Sequence, residues 1–374
     1  MSKKVLFVDN STRCFYLFRM PVAKALIASG YEVYVMSPLP YGEYVKRLEA
    51  AGVRHIPYEM GAKFSPLGDV KLLLLYRKVY HRLKPDYVIH YTIKPNIYGS
   101  LVAGMNKTPS LAVVPGTGSV FQNSGIISFI VKLLYKWAFR YPRKVWVLNK
   151  DDYSAFLAEK IVSRERLEVL PGEGIDTDSF CYKEYKRNSP FVFLYMGRML
   201  REKGVEIIAK AVRKLHQDGI KDFEVRLLGL VEGLSNDVIS ENELRQWEEE
   251  GLVRFLGSCF DVRPVIAEAD CILLPSFYGE GVPRSLMEAC STGRVVLTTD
   301  NVGCRDVVQD GYNGVLCHPR DVEDLASKMK MVLSIPEHEL KSMGLNGREK
   351  MINEFAEHKI VKRYLDEIDC VLTP

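Results

Sequence analysis

Several features that would fix a functional class at once are missing from this sequence. None of its eight cysteines forms a Cys-x-x-Cys pair, which excludes a secreted disulfide scaffold and a cysteine-rich metal site. No apolar run approaches the roughly 20 residues of a membrane-spanning helix, and the first run ends at Asp9, too early for a signal peptide. Repeats and low-complexity tracts are also absent. We therefore expect a cytoplasmic globular protein whose contact with a membrane is at most peripheral.

What is present fits two domains of opposite charge. The 374 residues suffice for two domains of about 150 residues each, and 47% of them are hydrophobic. Residues 1–185 carry 26 Lys and Arg against 16 Asp and Glu, whereas residues 186–374 carry 25 against 31. A basic half suggests nucleic acid, an anionic membrane or a phosphate-bearing substrate as partner. No nucleic-acid-binding motif accompanies the charge, so a nucleic-acid partner is not expected.

Short apolar runs alternate with amphipathic segments along the chain, which is typical of parallel α/β architecture. Two series of candidate strands comprise residues 5–8, 32–36, 55–57, 87–90, 111–114 and 145–148, then 191–195, 225–228, 253–256, 271–274, 295–298 and 314–316. The Gly- and Pro-rich residues 171–190 separate the two series. We expect Rossmann-like domains over residues 1–175 and 186–355, with residues 356–374 forming a helix that packs back on the first domain.

The most informative segment is the predicted strand–loop–helix from residue 273 to 293. Pro283 is expected at the first helical position, where its missing N–H costs nothing. The N–H groups at that helix start favour an anion. Glu280 and Glu288 can both reach one ligand, the first at a sugar and the second at a ribose. A strand–turn–helix with a capping acid explains the same spacing, so the spacing alone leaves both interpretations open.

A second pattern follows the strand 191–195. Arg198 and Lys203 lie between the end of this strand and the start of the next helix, where two cations suit a pyrophosphate. Lys and Arg are also common at solvated helix starts, so this pattern alone is weak. Together with the two glutamates it indicates a nucleotide diphosphate.

The segment 280–288, Glu-Gly-Val-Pro-Arg-Ser-Leu-Met-Glu, resembles the Glu-(seven residues)-Glu motif of the family 4 glycosyltransferases. The resemblance spans nearly the whole chain and is most specific from residue 253 to 317. It implies a GT-B fold, with two doubly wound Rossmann-like domains facing each other across a cleft. It also implies retaining transfer of a sugar from a nucleotide diphosphate, with UDP as the expected nucleotide. The catalytic residues that it implies are Glu280, Arg198 and Lys203. The donor-binding residues that it implies are Gly197, Gly281, Val282, Pro283, Arg284, Ser285, Leu286 and Glu288.

The first half resembles the branch of this family that assembles bacterial capsular polysaccharides and lipid-linked oligosaccharides. The resemblance lies in residues 18–21, 91–96 and 116–118. It implies a polyprenyl-diphosphate-linked saccharide as acceptor, in a cleft lined by Arg19, Lys94, Asn96, Gly116, Thr117 and Gly118. Two departures limit it: residues 9–12 replace a Gly-Gly loop, and Ile93 stands where relatives carry a cleft histidine. We therefore nominate no catalytic histidine and expect His90 to be an ordinary strand-end residue.

No metal cofactor is expected. Asp176-Thr177-Asp178 looks like the Asp-x-Asp metal motif of the other major glycosyltransferase fold, but it falls in the linker. A hard cation usually needs several convergent oxygen ligands, and two aspartates in a linker do not indicate such a set.

Two basic and apolar segments, residues 71–84 and 126–144, predict peripheral contact with the anionic inner leaflet of a membrane. Helices packed in the core with a solvated basic edge explain the same pattern equally well.

Two other functions remain open. A nucleotide-sugar 2-epimerase of the GT-B fold, or a non-catalytic protein that binds sugar nucleotides, would share these motifs. A Rossmann dehydrogenase is less consistent with the sequence, because no glycine fingerprint follows the first strand.

Overall fold

The computed structural model describes residues 2–39, 42–59, 65–117, 125–232 and 237–373. The chain divides into two compact units, of which the second is the continuous segment Ile175–Ala356. The first unit comprises Met1–Gly174 and Glu357–Pro374, so the last helix returns to the unit in which the chain begins.

The first unit is built on a parallel sheet with the order β3-β2-β1-β4-β5-β6-β7 in the described residues. Its strands are β1 (Lys4–Val8), β2 (Glu32–Pro38), β3 (Arg54–Tyr58), β4 (Tyr87–Tyr91), β5 (Ser110–Val114), β6 (Lys144–Val147) and β7 (Leu167–Val169). The central strands are continuous apolar runs because helices cover both faces of the sheet. Val8 lies opposite Met36 on one side and His90 on the other, so these strands end together. The strand order reverses between β1 and β4, where such sheets bind ligands.

The helices between these strands each pack buried residues against the rest of the unit. They are α1 (Thr12–Phe18), α2 (Met20–Ala28), α3 (Gly42–Ala50), α4 (Pro66–Leu83), α5 (Ser100–Met105), α6 (Ile126–Ala138) and α7 (Lys150–Ala158). A single π-helical turn, Pro95–Gly99, precedes α5. In the part of the chain that the structure describes, no helix has both the length and the apolar character needed to cross a membrane.

The second unit repeats the scheme with six parallel strands in the order β10-β9-β8-β11-β12-β13, again for the described residues. The strands are β8 (Phe191–Met196), β9 (Phe223–Leu228), β10 (Arg254–Phe255), β11 (Cys271–Leu274), β12 (Val295–Thr299) and β13 (Gly314–Cys317). The helices are α8 (Val205–Gln217), α9 (Glu241–Glu249), α10 (Arg263–Ala267), α11 (Arg284–Thr292), α12 (Cys304–Val307), α13 (Val322–Ser334) and α14 (Glu337–Lys350). Here the order reverses between β8 and β11.

The last helix, α15 (Glu357–Leu372), packs on the first unit through its amphipathic face. The buried carboxylate of Glu367 accepts a hydrogen bond from the hydroxyl of Tyr87 (3.0 Å) and pairs with Lys144 (3.2 Å). Tyr364 meets the ring of Trp146 edge-on. Breaking one partner of a buried pair is costly, so these contacts hold the helix on the sheet.

The predicted α/β class is confirmed, and the predicted strands lie within one or two residues of those observed. Strand β7 was not predicted, because it has only three residues and a central glutamate. Strand β10 is shorter than residues 253–256. Pro57 lies in β3, an edge strand, where the missing N–H breaks no ladder.

Candidate donor site

The loops that follow β8 and β11 meet at the strand-order reversal of the second unit. The carbonyl of Glu202 accepts hydrogen bonds from the backbone N–H groups of Phe277 (3.0 Å) and Tyr278 (3.1 Å). Gly204 has φ +83°, and a Cβ there would overlap the carbonyl of Pro275. The loop after β11 is thus docked directly on the turn Arg201–Lys203.

Lys203 and Glu280 contact each other at this junction, ammonium to carboxylate. Their side chains are only 15% and 9% exposed. The hydroxyl of Ser276 donates to the same carboxylate oxygen of Glu280 (3.0 Å), and the Lys203 nitrogen lies 5.4 Å from the ring centroid of Tyr278. The fold therefore holds two predicted catalytic residues side by side in a poorly hydrated place, where charge interactions are strong.

Arg198 follows β8 after Gly197, and its side chain is exposed. The buried Tyr195 hydroxyl donates to the Arg198 carbonyl (2.7 Å), which fixes the backbone from which this side chain projects. Burial, then the Asp237 charge, raises the pKa of Glu202 above its usual value, and the charges of Lys203 and Arg198 oppose that rise. The two cations thus act on a common space beside β8.

Helix α11 begins next to the same loop. Pro283 has φ −65° and ψ 120°, so it is the N-cap rather than the first helical residue, which corrects the predicted position. Its extended ψ places it outside the helix. Pro283 has no side chain that could cap α11, and the first-turn N–H groups, those of Arg284 and Ser285 included, favour a negative charge.

The loop between Ser276 and Gly281 is held from the end of β12. The side-chain amide of Asn301 donates to the carbonyls of Ser276 (3.2 Å) and Tyr278 (2.7 Å). Gly303 has φ +77°, and a Cβ there would overlap the carbonyl of Gly281. The position of Glu280 therefore depends on backbone contacts with the neighbouring strand.

The other predicted donor contacts lie along the start of α11. Gly281, Val282 and Pro283 are buried; Leu286 is fully buried, and its N–H donates to the Pro283 carbonyl (3.2 Å). Nε of Arg284 donates to the Glu288 carboxylate (2.9 Å). Burial raises the pKa of Glu288, and the Arg284 guanidinium opposes that rise. Contact of these residues with a donor stays a prediction.

In the first unit, Arg19 lies at the strand-order reversal and is 3% exposed. Its guanidinium donates to Glu173 (2.9 Å) and to the Cys14 carbonyl (3.0 Å), lies 3.3 Å from the Asp9 carboxylate, and stacks 4.3 Å from the Tyr91 ring centroid. Burial raises the pKa of Asp9, while Arg19 lowers it. Arg19 therefore binds internal partners in this structure, and its role at an acceptor stays a prediction.

Lys94 and Asn96 follow β4. The Lys94 ammonium pairs with Asp69 (2.9 Å), and the Asn96 amide donates to the Val113 carbonyl (2.8 Å) from a fully buried position. Thr92 has φ +66°, which is strained for a β-branched residue. The strain and the adjoining π-helical turn are features often found at functional sites.

Gly116 is half-buried, and Thr117 is buried, with its hydroxyl donating to Asp152 (2.8 Å). Gly118 lies outside the described residues. His90 is fully buried, bonded to the Tyr80 hydroxyl (2.9 Å), and burial lowers its pKa to about 3.

The described part of the chain contains no group of three or more His, Cys, Asp or Glu arranged to hold a metal ion. Both carboxylate oxygens of Asp176 accept hydrogen bonds from its own turn, from the N–H groups of Asp178 and Ser179 and from the Ser179 hydroxyl. Asp176 thus stabilises the linker turn.

Two family comparisons cover both units. Residues 4–149 match the family described as glycosyl transferase 4-like, and residues 190–334 match the glycosyl transferases group 1. The chain belongs to the family 4 glycosyltransferases. The sequence-based prediction of a glycosyltransferase is thereby confirmed.

Two curated relatives of this glycosyltransferase match along most of their length. One, from Campylobacter jejuni, is N,N'-diacetylbacillosaminyl-diphospho-undecaprenol alpha-1,3-N-acetylgalactosaminyltransferase, 25% identical with 99% of each chain covered. Another, from Escherichia coli, is UDP-Gal:alpha-D-GlcNAc-diphosphoundecaprenol alpha-1,3-galactosyltransferase, 27% identical over 80% of this chain and 78% of the relative.

Solved structures confirm the GT-B fold. A glycosyltransferase from Rickettsia africae superposes with a TM-score of 0.81 at 18% identity, covering 100% of this chain and 99% of the other. HepE from Anabaena, in complex with UDP and glucose, superposes with a TM-score of 0.78 at 18% identity, covering 98% and 99%.

The sequence assigned no role to three residues that help to build the candidate site. Ser276 donates to Glu280, and Tyr278 lies against Lys203. Asn301 bonds the loop that carries Ser276 and Tyr278. Ser276 and Asn301 each follow one of two adjacent strands, β11 and β12. The pairing of those strands, had it been predicted, would have brought them together.

Proposed function

We propose that this enzyme transfers a hexosyl or N-acetylhexosaminyl residue, with retention, from a UDP-sugar to a saccharide carried on polyprenyl diphosphate. Two relatives support the choice, since their names specify undecaprenol-diphosphate-linked acceptors and one names a UDP-linked donor. The reaction then belongs to the assembly of a surface polysaccharide or glycoconjugate, at the cytoplasmic face of the inner membrane.

The observation that carries the proposal is the meeting of Lys203, Glu280 and the start of α11 at one strand-order reversal. Breaking the anomeric C–O bond leaves negative charge on the diphosphate and positive charge on the sugar. Arg198, Lys203 and the N–H groups of α11 stabilise the first charge, because they are fixed before the reaction begins. These groups supply positive charge without a metal ion.

The two glutamates interact with the sugar groups of the donor. Glu280 orients the donor sugar, and a departing phosphate oxygen accepts the proton of the acceptor hydroxyl on the same face, which gives retention. Glu288 binds the ribose, and Arg284 and Ser285 contact the diphosphate or the donor sugar. Glu288 already accepts a hydrogen bond from Arg284, so the pair can bind as a unit.

The acceptor side is the first unit, whose sequence holds most of the excess cations. Lys94 and the residues around Gly116 follow β4 and β5, two neighbouring strands at the edge where ligands of such sheets bind. A lipid diphosphate is an anion and suits this basic half of the molecule.

The test is a panel of UDP-sugars incubated with a synthetic polyprenyl-diphosphate sugar, with mass spectrometry of the product. We expect one UDP-sugar to add a single residue to the acceptor. A sugar that changes its configuration without acceptor would instead indicate an epimerase. UDP binding with no transfer to any acceptor would indicate a non-catalytic binding protein.

A further inference from the structure

Helix α6 (Ile126–Ala138) turns an apolar face away from the core. Ile126 and Phe129 are 79% and 63% exposed, and Leu133 and Trp137 are 48% and 47% exposed. These four residues recur once per helical turn, so they form one stripe. The opposite face is anchored in the core by its own buried residues, Val131, Tyr135 and Ala138. A surface helix normally shows polar residues outward, so a contiguous apolar stripe indicates a partner.

The stretch of sequence that contains this stripe is basic. Residues 87–150 contain eight Lys and Arg and not one Asp or Glu. Arg140 and Arg143, which follow α6, are exposed. Lys132 of α6 pairs with Glu159 (2.6 Å), which follows α7. An apolar stripe flanked by cations is complementary to a surface that is apolar inside and anionic outside.

Helix α4 adds a second exposed apolar face. Leu67, Val70 and Leu74 are each more than half exposed. Leu73 of α4 packs on the same core cluster as Val131 of α6, so both helices lie on one side of the sheet. Three exposed cations lie on the same helix, Lys71 between Val70 and Leu74, and Arg77 and Lys78 after Leu74.

We propose that α6 lies in the headgroup region of an anionic bilayer with its apolar stripe inserted, and that α4 lies beside it. The 13 residues of α6 span about 20 Å, less than the roughly 30 Å of a hydrocarbon core, which suits a helix lying in the interface. The proposal rests on the proposed function in one respect only, that the lipid-linked acceptor resides in the same bilayer.

Trp137 reports directly on this contact. It is the exposed tryptophan of the three, since Trp146 and Trp247 are 1% and 8% exposed. Vesicles of phosphatidylglycerol and phosphatidylcholine should shift its emission to the blue, and brominated acyl chains should quench it. Unshifted and unquenched emission of the folded wild-type chain would overturn the proposal.

A variant pair tests the stripe itself. Phe129→Ser with Leu133→Ser should reduce partition to the same vesicles at least about tenfold, because two apolar side chains no longer leave water. Leu345→Ser with Ile352→Ser is the matched control, since both residues are similarly exposed, 43% and 42%, in the second unit. Equal binding by both pairs would contradict the proposal.

Thermal melting checks that both double variants fold. Light scattering tests whether a second copy of the chain, instead of a membrane, covers the apolar stripe of α6. A wild-type dimer that the Phe129 and Leu133 substitutions disperse would overturn the membrane assignment. The vesicle assay contains neither donor nor acceptor, so its result is independent of whether the proposed transfer reaction is correct.

Discussion

Lys203 meets Glu280 where water reaches neither side chain well, and each is held by a further neighbour. Ser276 bonds the carboxylate, and the Tyr278 ring lies beside the ammonium. A bound diphosphate would give Lys203 a second anionic partner, and a donor sugar would give Glu280 hydroxyl donors. Arg198 is exposed and needs no rearrangement to meet a ligand. We infer that ligand binding redistributes these contacts without creating a new buried charge.

We expect Glu280→Gln, Arg198→Ala and Lys203→Ala each to lower turnover at least tenfold, which corresponds to about 1.4 kcal/mol in the barrier. The reason is the loss of charges fixed around the breaking bond. Steady-state kinetics with the preferred UDP-sugar measures the effect. Lys210→Ala is the matched control, since this exposed lysine of α8 pairs with a glutamate four residues away on the same helix. Near-wild-type rates for all three variants would refute the site.

His90 gives a prediction about stability rather than activity. Its pKa is lowered by burial from 6.5 to about 3, so below pH 6.5 the unfolded chain binds a proton that the folded chain does not. Stability from neutral His90 is therefore present above pH 6.5 and is lost as the pH falls toward 3. We expect wild type to lose stability relative to His90→Gln by up to about 1.4 kcal/mol per pH unit. Urea unfolding across this pH range measures the free energy of unfolding of both proteins. If the two free energies changed with pH in parallel, the lowered pKa of His90 would be contradicted.

Sequence motifs named single residues, whereas the contacts of those residues are visible only in the structure. Glu280 and Lys203 are 77 positions apart, and the structure brings them into contact. Arg19 was predicted at a cleft, but three internal partners surround its guanidinium. Sequence identifies a cation near a strand end; it does not show which anions the fold places beside it.

At the scale of elements, the site depends on how the ends of three neighbouring strands support one loop. The loop after β11 rests on the turn that precedes α8 and is bonded by residues that follow β12. The strands themselves were predictable, because buried parallel strands are unbroken apolar runs. Their order was not, since crossover connections leave no local trace in sequence.

Gly303→Ala should show whether the close contact at Gly303 positions the loop that carries Glu280. The effect must be distinguished from the backbone strain that alanine causes at any glycine with positive φ. Gly303 and Gly311 both have positive φ, +77° and +71°, but a Cβ at Gly303 overlaps the Gly281 carbonyl, whereas nothing lies near one at Gly311. Both alanine variants should lose about 1–2 kcal/mol of stability from the left-handed backbone. Turnover should fall only in Gly303→Ala, because that Cβ displaces the loop carrying Glu280. Equal turnover in the two variants, measured below their melting temperatures, would argue against this support.

At the scale of the whole molecule, the net charge of +4 combines a basic first half with an acidic second half. The excess cations of the first half suit the proposed lipid diphosphate acceptor in an anionic membrane, whereas the proposed donor site uses a few cations placed individually. Sequence showed the division of charge. It did not show that the apolar stripe of α6 faces outward, because an apolar helix is more often buried.

Metal independence is a prediction about the complete enzyme. We expect transfer to continue undiminished in EDTA, because Arg198, Lys203 and the start of α11 supply positive charge to the leaving diphosphate. The rate of UDP release with and without EDTA measures the transfer reaction. A rate abolished by EDTA and restored by Mg²⁺ would contradict the prediction.

We propose that the second unit binds the donor diphosphate through Arg198 and Lys203. Calorimetric titration of the whole chain with UDP and with uridine tests it most directly, comparing wild type with the double variant Arg198→Ala, Lys203→Ala. We predict that the double variant loses affinity for UDP about a hundredfold, or roughly 2.7 kcal/mol, while uridine binding changes little. Equal UDP affinity in the two proteins would contradict the account.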